Sequence, residues 1–67
     1  MKIQLNNNLI DVEGVTPTVQ ALLEQQNIFP SGIAVAVNDR IVRKLHWGTT
    51  FLNPDDKVTL IKVAFGG

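Results

Sequence analysis

Hydrophobic and polar positions along the chain change period several times, and each change marks an element. Met1-Lys2-Ile3-Gln4-Leu5 alternates apolar and polar, the period of a strand with one buried face. Asn6-Asn7-Asn8 follows, and asparagine tolerates the left-handed backbone of a tight hairpin turn. Leu9 to Glu13 alternates again with Ile10 and Val12 inward, so the first two strands form a hairpin. The period then lengthens: Val19, Leu22 and Leu23 share one helical face, while Gln20, Glu24 and Gln25 face water. Either Thr16, with Pro17 at the first helical position, or Thr18 caps this helix. Asn27 and Pro30 close it after about two to three turns.

Ile33 to Val37 is wholly apolar and reads as a buried strand, and Asn38-Asp39 turns the chain into a shorter strand at Ile41-Val42. Residues 43–51 lack a clean period and form a loop with one helical turn, from which Leu45, Trp47 and Phe51 fold back to extend the core. Pro54-Asp55 suits a turn launching the last strand. That strand, from Lys57, places Val58, Leu60 and Ala64 on one side and Thr59, Ile61, Val63 and Phe65 on the other. Apolar residues on both sides predict a central strand covered on both faces.

The order is two strands, a helix, two short strands and a long last strand. One amphipathic helix covers one face of a sheet. A parallel pairing of the first and last strands needs a long crossover, which the intervening chain supplies. The expected fold is α+β, a β-grasp: a mixed sheet of about five strands, one main helix on one face, and the first and last strands parallel at the centre. Residues 1–67 form a single domain in which residues 64–67 are a protruding tail.

At 67 residues the core is thin. A cavity of a few hundred Å³ would take up much of it, which argues against a free-standing enzyme. Six basic residues cancel six acidic ones, removing the electrostatic footprint of a nucleic-acid or anionic-membrane binder. Without cysteine there is no disulfide, zinc-thiolate site or nucleophilic thiol. No apolar run approaches the ~20 residues that cross a membrane, and the start lacks a signal-peptide pattern. The expectation is a soluble cytoplasmic protein.

Few side chains offer chemistry. His46 has no second histidine, cysteine or adjacent carboxylate to make a metal site or a triad. Asp55-Asp56, between Pro54 and Lys57, reads as a solvated turn. Arg40, Arg43 and Lys44 form a small basic cluster, either a solvated loop face or a contact for an acidic partner. Trp47 belongs to the core, which needs its area. No phosphate loop, dinucleotide fingerprint or nucleophile motif is present.

Gly66-Gly67 remains. With glycine at about 7 % of residues, a terminal pair arises by chance in roughly 0.5 % of chains. Here it follows the central strand without a spacer. A terminal carboxylate, with a pKa near about 3.5, is ionised at neutral pH and a poor electrophile, so another protein must activate it. Two residues without Cβ extend about 7 Å and pass through a narrow channel. The tail therefore reads as a carrier of an acyl group at Gly67, with Gly66 keeping it unhindered and the rest of the domain as a handle.

The helix Thr18-Val19-Gln20-Ala21-Leu22-Leu23-Glu24, the turn and strand Asn38-Asp39-Arg40-Ile41-Val42, Trp47, Asp56 and Gly66-Gly67 together resemble the ThiS family. These are ubiquitin-like β-grasp sulfur carrier proteins of thiamine biosynthesis, and the resemblance covers essentially the whole chain. It implies that an ATP-using adenylyltransferase makes the Gly67 acyl-adenylate. A sulfur relay of the cysteine desulfurase type then gives a Gly67 thiocarboxylate, and thiazole synthase takes the sulfur for the thiazole ring. No cofactor is bound by the carrier; ATP is used by the partner. Two features depart from the family's habit: Arg43-Lys44 stands where Pro-Arg is frequent, and Phe65 stands before the diglycine in place of a small residue. Phe65, with Ala64, is either a strand-end core residue or an apolar anchor at the mouth of a partner's channel, and Arg43 and Lys44 are further candidate partner contacts. The alternatives are the small subunit of molybdopterin synthase, which shares fold and tail, a ubiquitin-like modifier conjugated to lysines, and a plain interaction module.

Overall fold

The computed structural model describes residues 1–63. Strand β1 (Lys2–Leu5) and strand β2 (Asn8–Asp11) form an antiparallel hairpin, with Ile3 opposite Ile10. Asn6 and Asn7 take φ of 48° and 69°, the paired positive values of a type I′ turn, whose twist matches that of the strands it joins. Strands β3 (Ile33–Val37) and β4 (Arg40–Val42) repeat the device through Asn38 and Asp39, at φ 50° and 69°. Strand β5 (Lys57–Lys62) lies between β1 and β3, giving the order β2-β1-β5-β3-β4. It runs parallel to β1, with Leu5 opposite Val58, and antiparallel to β3, with Ala34 opposite Ile61. The expected sheet of five strands with a parallel central pair is the one observed.

Helix α1 (Val19–Gln25) settles its own start: the Thr18 hydroxyl accepts from the Ala21 N–H at 3.1 Å, so Thr18 is the cap. Its end follows from Asn27, which at φ 55° takes the left-handed residue of a closing turn. The Ile28 N–H reaches the Leu23 carbonyl and the Asn27 N–H the Glu24 carbonyl, the bond pair of a Schellman motif. Val19, Leu22 and Leu23 are buried against Ile3, Val35 and Val58 of the sheet. Burying Leu22 and Val19 fully stabilises the fold by about 2 kcal/mol each.

Two expectations about the core need correction. Of the residues placed in it from the irregular segment, Trp47 is buried, but Leu45 is 83 % and Phe51 60 % exposed. Leu52, fully buried, fills the position instead. The Leu52 N–H is bonded to the Pro17 carbonyl and Thr18 bridges Phe51, so that backbone pairing turns Leu52 inward and Phe51 outward. A 3₁₀ turn at Lys44–His46 provides the one helical turn expected there.

The second correction concerns β5. Val58 and Leu60 face the helix, but Ile61 and Val63 are each 42 % exposed, so the strand is central in the sheet and yet covered on one side only. With a single helix, nothing else lies over the other face among the described residues. The strand itself closes at Lys62.

Candidate functional site: the end of the central strand

Gly67, Gly66, Phe65 and Ala64 lie outside the described residues. What is described is the platform from which they continue. The last backbone bond before them joins the Val63 N–H to the Gly32 carbonyl at 2.9 Å, so β5 is tied to the start of β3 up to that point. On its other flank β1 has already ended. There the Asn6 N–H donates to the Val58 carbonyl, and the Asn6 side-chain carbonyl accepts from the Leu60 N–H at 2.8 Å. An amide side chain thus extends the parallel ladder by one step.

Arg43 and Lys44 are exposed, as partner contacts must be. Arg43 is extended (φ −65°, ψ 145°) and carries the chain beyond β4; Lys44 opens the 3₁₀ turn. Because Val35 faces Val42, and Ala34 and Ile33 face Ile61 and Lys62, both residues stand at the end of the sheet where β5 finishes. Arg40, the third of the basic cluster read from sequence, is opposite Val37 at the other end. The sheet therefore separates it from the other two and brings Lys62 to them instead. Sequence spacing gave no sign of Lys62; only the pairing register does.

The remaining candidates are structural. Trp47 donates its indole N–H to the Val42 carbonyl at 2.9 Å, locking the irregular segment under the end of β4. The His46 side chain is exposed, and its carbonyl accepts from the hydroxyls of Thr49 and Thr50. Asp55, at φ 69°, is the left-handed residue of the turn before β5. Asp56 was expected to be only solvated, and this is incorrect. Its carboxylate accepts from the Asn38 side-chain amide at 3.0 Å and from the Asn53 N–H at 2.8 Å. Asn38 in turn accepts from the Lys57 N–H. The β3–β4 turn is thereby fastened to the start of β5.

Among the described residues no group of three histidine, cysteine or carboxylate side chains is placed to hold a metal, and no polar or charged side chain is buried. Two adjoining grooves beside the end of α1 have volumes of about 320 and 380 Å³. The first is lined by Leu23, Glu24, Ile28, Pro30, Lys44 and Trp47, a set without a nucleophile or a base beside one. No helix is long and apolar enough to cross a membrane. The open sheet face carries Ile41, Ile61 and Val63, all exposed; Ile61 and Val63 lie in the half of the sheet where β5 finishes, and Ile41, level with Thr59 through Ala36, in the half where it begins.

The family model described as the ThiS family matches residues 3–67. No curated protein matches the sequence. Among solved structures, the fold is similar to the crystal structure of a thiamine biosynthesis protein (ThiS) from Geobacter metallireducens. The two are 20 % identical, the match covers the whole of both chains, and the TM-score is 0.86. A solution structure of a thiamine biosynthesis protein from the same organism matches at 20 % identity and a TM-score of 0.75, over all of this chain and 88 % of that one. At that identity the likeness establishes the fold.

Proposed function

The chain belongs to the ThiS family of small sulfur carrier proteins with the ubiquitin-like β-grasp fold, and from that membership we propose that Gly67 is the atom-carrying residue. Its carboxylate oxygen attacks the α-phosphorus of ATP in a partner adenylyltransferase, and pyrophosphate leaves. The outer sulfur of a persulfide on a relay of the cysteine desulfurase type then displaces AMP from the acyl carbon to give an acyl disulfide, and a second thiol cleaves its S–S bond, leaving in a disulfide with the relay sulfur. The product is a Gly67 thiocarboxylate. Thiazole synthase takes the sulfur from it and returns the carboxylate. The protein is a co-substrate of these enzymes and carries no catalytic group of its own.

The observation that carries this reading is that the family match runs through Gly66-Gly67, four and five positions in sequence beyond Lys62, the last residue of the sheet's central strand. Activation is obligatory on physical grounds, because the carboxylate is ionised and resists nucleophiles. Glycine at both positions lets the tail enter a channel too narrow for a Cβ. A thiocarboxylate sulfur is softer and more nucleophilic than a carboxylate oxygen, which suits attack on an electrophilic intermediate.

The test is charging. Incubated with its adenylyltransferase, ATP and a sulfur donor, the protein gains the mass of one oxygen-to-sulfur exchange at Gly67, read on the intact chain. A form lacking Gly67 still binds the adenylyltransferase but is never charged; normal charging of that form defeats the proposal. Charged protein offered separately to thiazole synthase and to the molybdopterin synthase large subunit discharges onto the first only.

A further inference from the structure

The chain is neutral overall, yet its charges are not evenly placed. Lys62, at the end of β5, lies opposite Ile33 of β3, and the β4 side of the sheet begins one strand further on. There Arg43 continues from Val42 in extended conformation and Lys44 follows. Arg43, Lys44 and Lys62 therefore occupy one end of the sheet within about two strand spacings, or ~10 Å. All three side chains are exposed. None forms an ion pair among the described residues, where the side-chain pair present is Lys57 with Asp39. Glu24 lines the same groove as Lys44 but does not reach ion-pair distance. The carboxylates Asp39, Asp55 and Asp56 sit at the opposite end, around the start of β5, with Arg40 and Lys57 among them. Five residues of strand, about 17 Å, separate the two ends, more than the ~8 Å screening length at physiological salt.

We propose that Arg43, Lys44 and Lys62 form a cationic collar that steers the end of β5 onto an acidic rim around the acyl-activating site of the adenylating partner. The proposal rests on the carrier reading above and names the chemistry of the surface that receives the tail. Positive charge at the end of the sheet where β5 finishes orients the encounter, so that this end of the domain arrives first. Complementary charge of this kind acts chiefly on association rate. A polyanionic nucleic acid or membrane is disfavoured as the recipient, since the chain as a whole carries no net positive charge.

The association rate of the full chain with its adenylating enzyme, measured by stopped-flow at several salt concentrations, tests this. The wild-type rate falls as salt rises. In R43E/K44E/K62E it drops about tenfold or more at low salt and its salt dependence flattens or inverts. The neutral variant R43Q/K44Q/K62Q falls between the two, and K2E/R40E, altered at the opposite end, behaves as wild type. Circular dichroism melting confirms that each variant folds. An unchanged rate and salt slope in the triple variants overturns the collar while leaving the carrier reading intact. Absence of charging in wild type, with association still salt-steered, defeats the carrier reading and leaves the electrostatic contact standing. Equal slowing in K2E/R40E also overturns the collar, as does collar-dependent retention on phosphatidylserine vesicles or duplex RNA with partner association unaffected.

Discussion

Asp56 fastens two turns with one side chain, and at the residue scale such fastenings explain most of what is distinctive here. Its two oxygens hold the β3–β4 turn through Asn38 and the β5 turn through Asn53. Thr18 caps α1, and Trp47 pins the irregular segment to Val42. These are among the residues on which the resemblance to the ThiS family rests, and their bonds show that they maintain the scaffold. Asp56→Ala removes two acceptors at a partly exposed site, and the expected loss is about 1–2 kcal/mol by urea denaturation. Combined with Asn38→Ala, the loss is smaller than the sum of the singles, because both remove the same bond. A fully additive pair would show that the bond contributes nothing. Sequence alone did not expose this role. Asp56 is separated from Asn38 by a whole strand, a 3₁₀ turn and a loop, and only the finished sheet brings them together.

At the scale of elements, the hairpins and the helix were legible because their signals are local. Asparagine at Asn6, Asn7 and Asn38 accommodates positive φ, and the Val19, Leu22, Leu23 spacing defines one face whatever it packs on. Residues 43–52 were less legible: without a period, hydrophobicity says that some side chains are buried but not which. Leu52 won over Leu45 and Phe51 through its backbone bond to Pro17. Likewise, apolar residues on both sides of β5 show that it avoids the sheet edge, not that two layers cover it. The helix itself divides into separable contributions. Thr18→Ala loses the cap bond, about 1 kcal/mol, and lowers the melting temperature by about 4–8 °C. Leu22→Ala leaves a cavity costing about 3 kcal/mol, a large share of the ~3–10 kcal/mol available to a domain of this size. A calorimetric series in which the cap variant is the more damaging would contradict the view that tertiary packing, not helix propensity, holds these seven residues.

For the whole molecule, one covered face and one bare face divide the labour. The helix side supplies stability, while the bare side presents Ile61 and Val63, and the cationic end Lys62, where β5 finishes. The proposed carrier role rests on the Gly66-Gly67 pair, which was plain in the sequence; the charge asymmetry at the end of β5 was not, because Lys62 joins Arg43 and Lys44 only by strand register. One consequence lies in the step that Asn6 adds to the parallel ladder. Beyond Leu60 that flank of β5 has no backbone partner among the described residues, whereas β3 still grips the opposite flank as far as Val63. Deuterium uptake along the strand should therefore be staggered, slow at Ile61 and Val63 and fast at Lys62. Asn6→Ala should release the Leu60 amide to the fast class while its neighbours keep their rates. Uniformly slow uptake from Leu60 to Val63 would mean that some other group shields this flank.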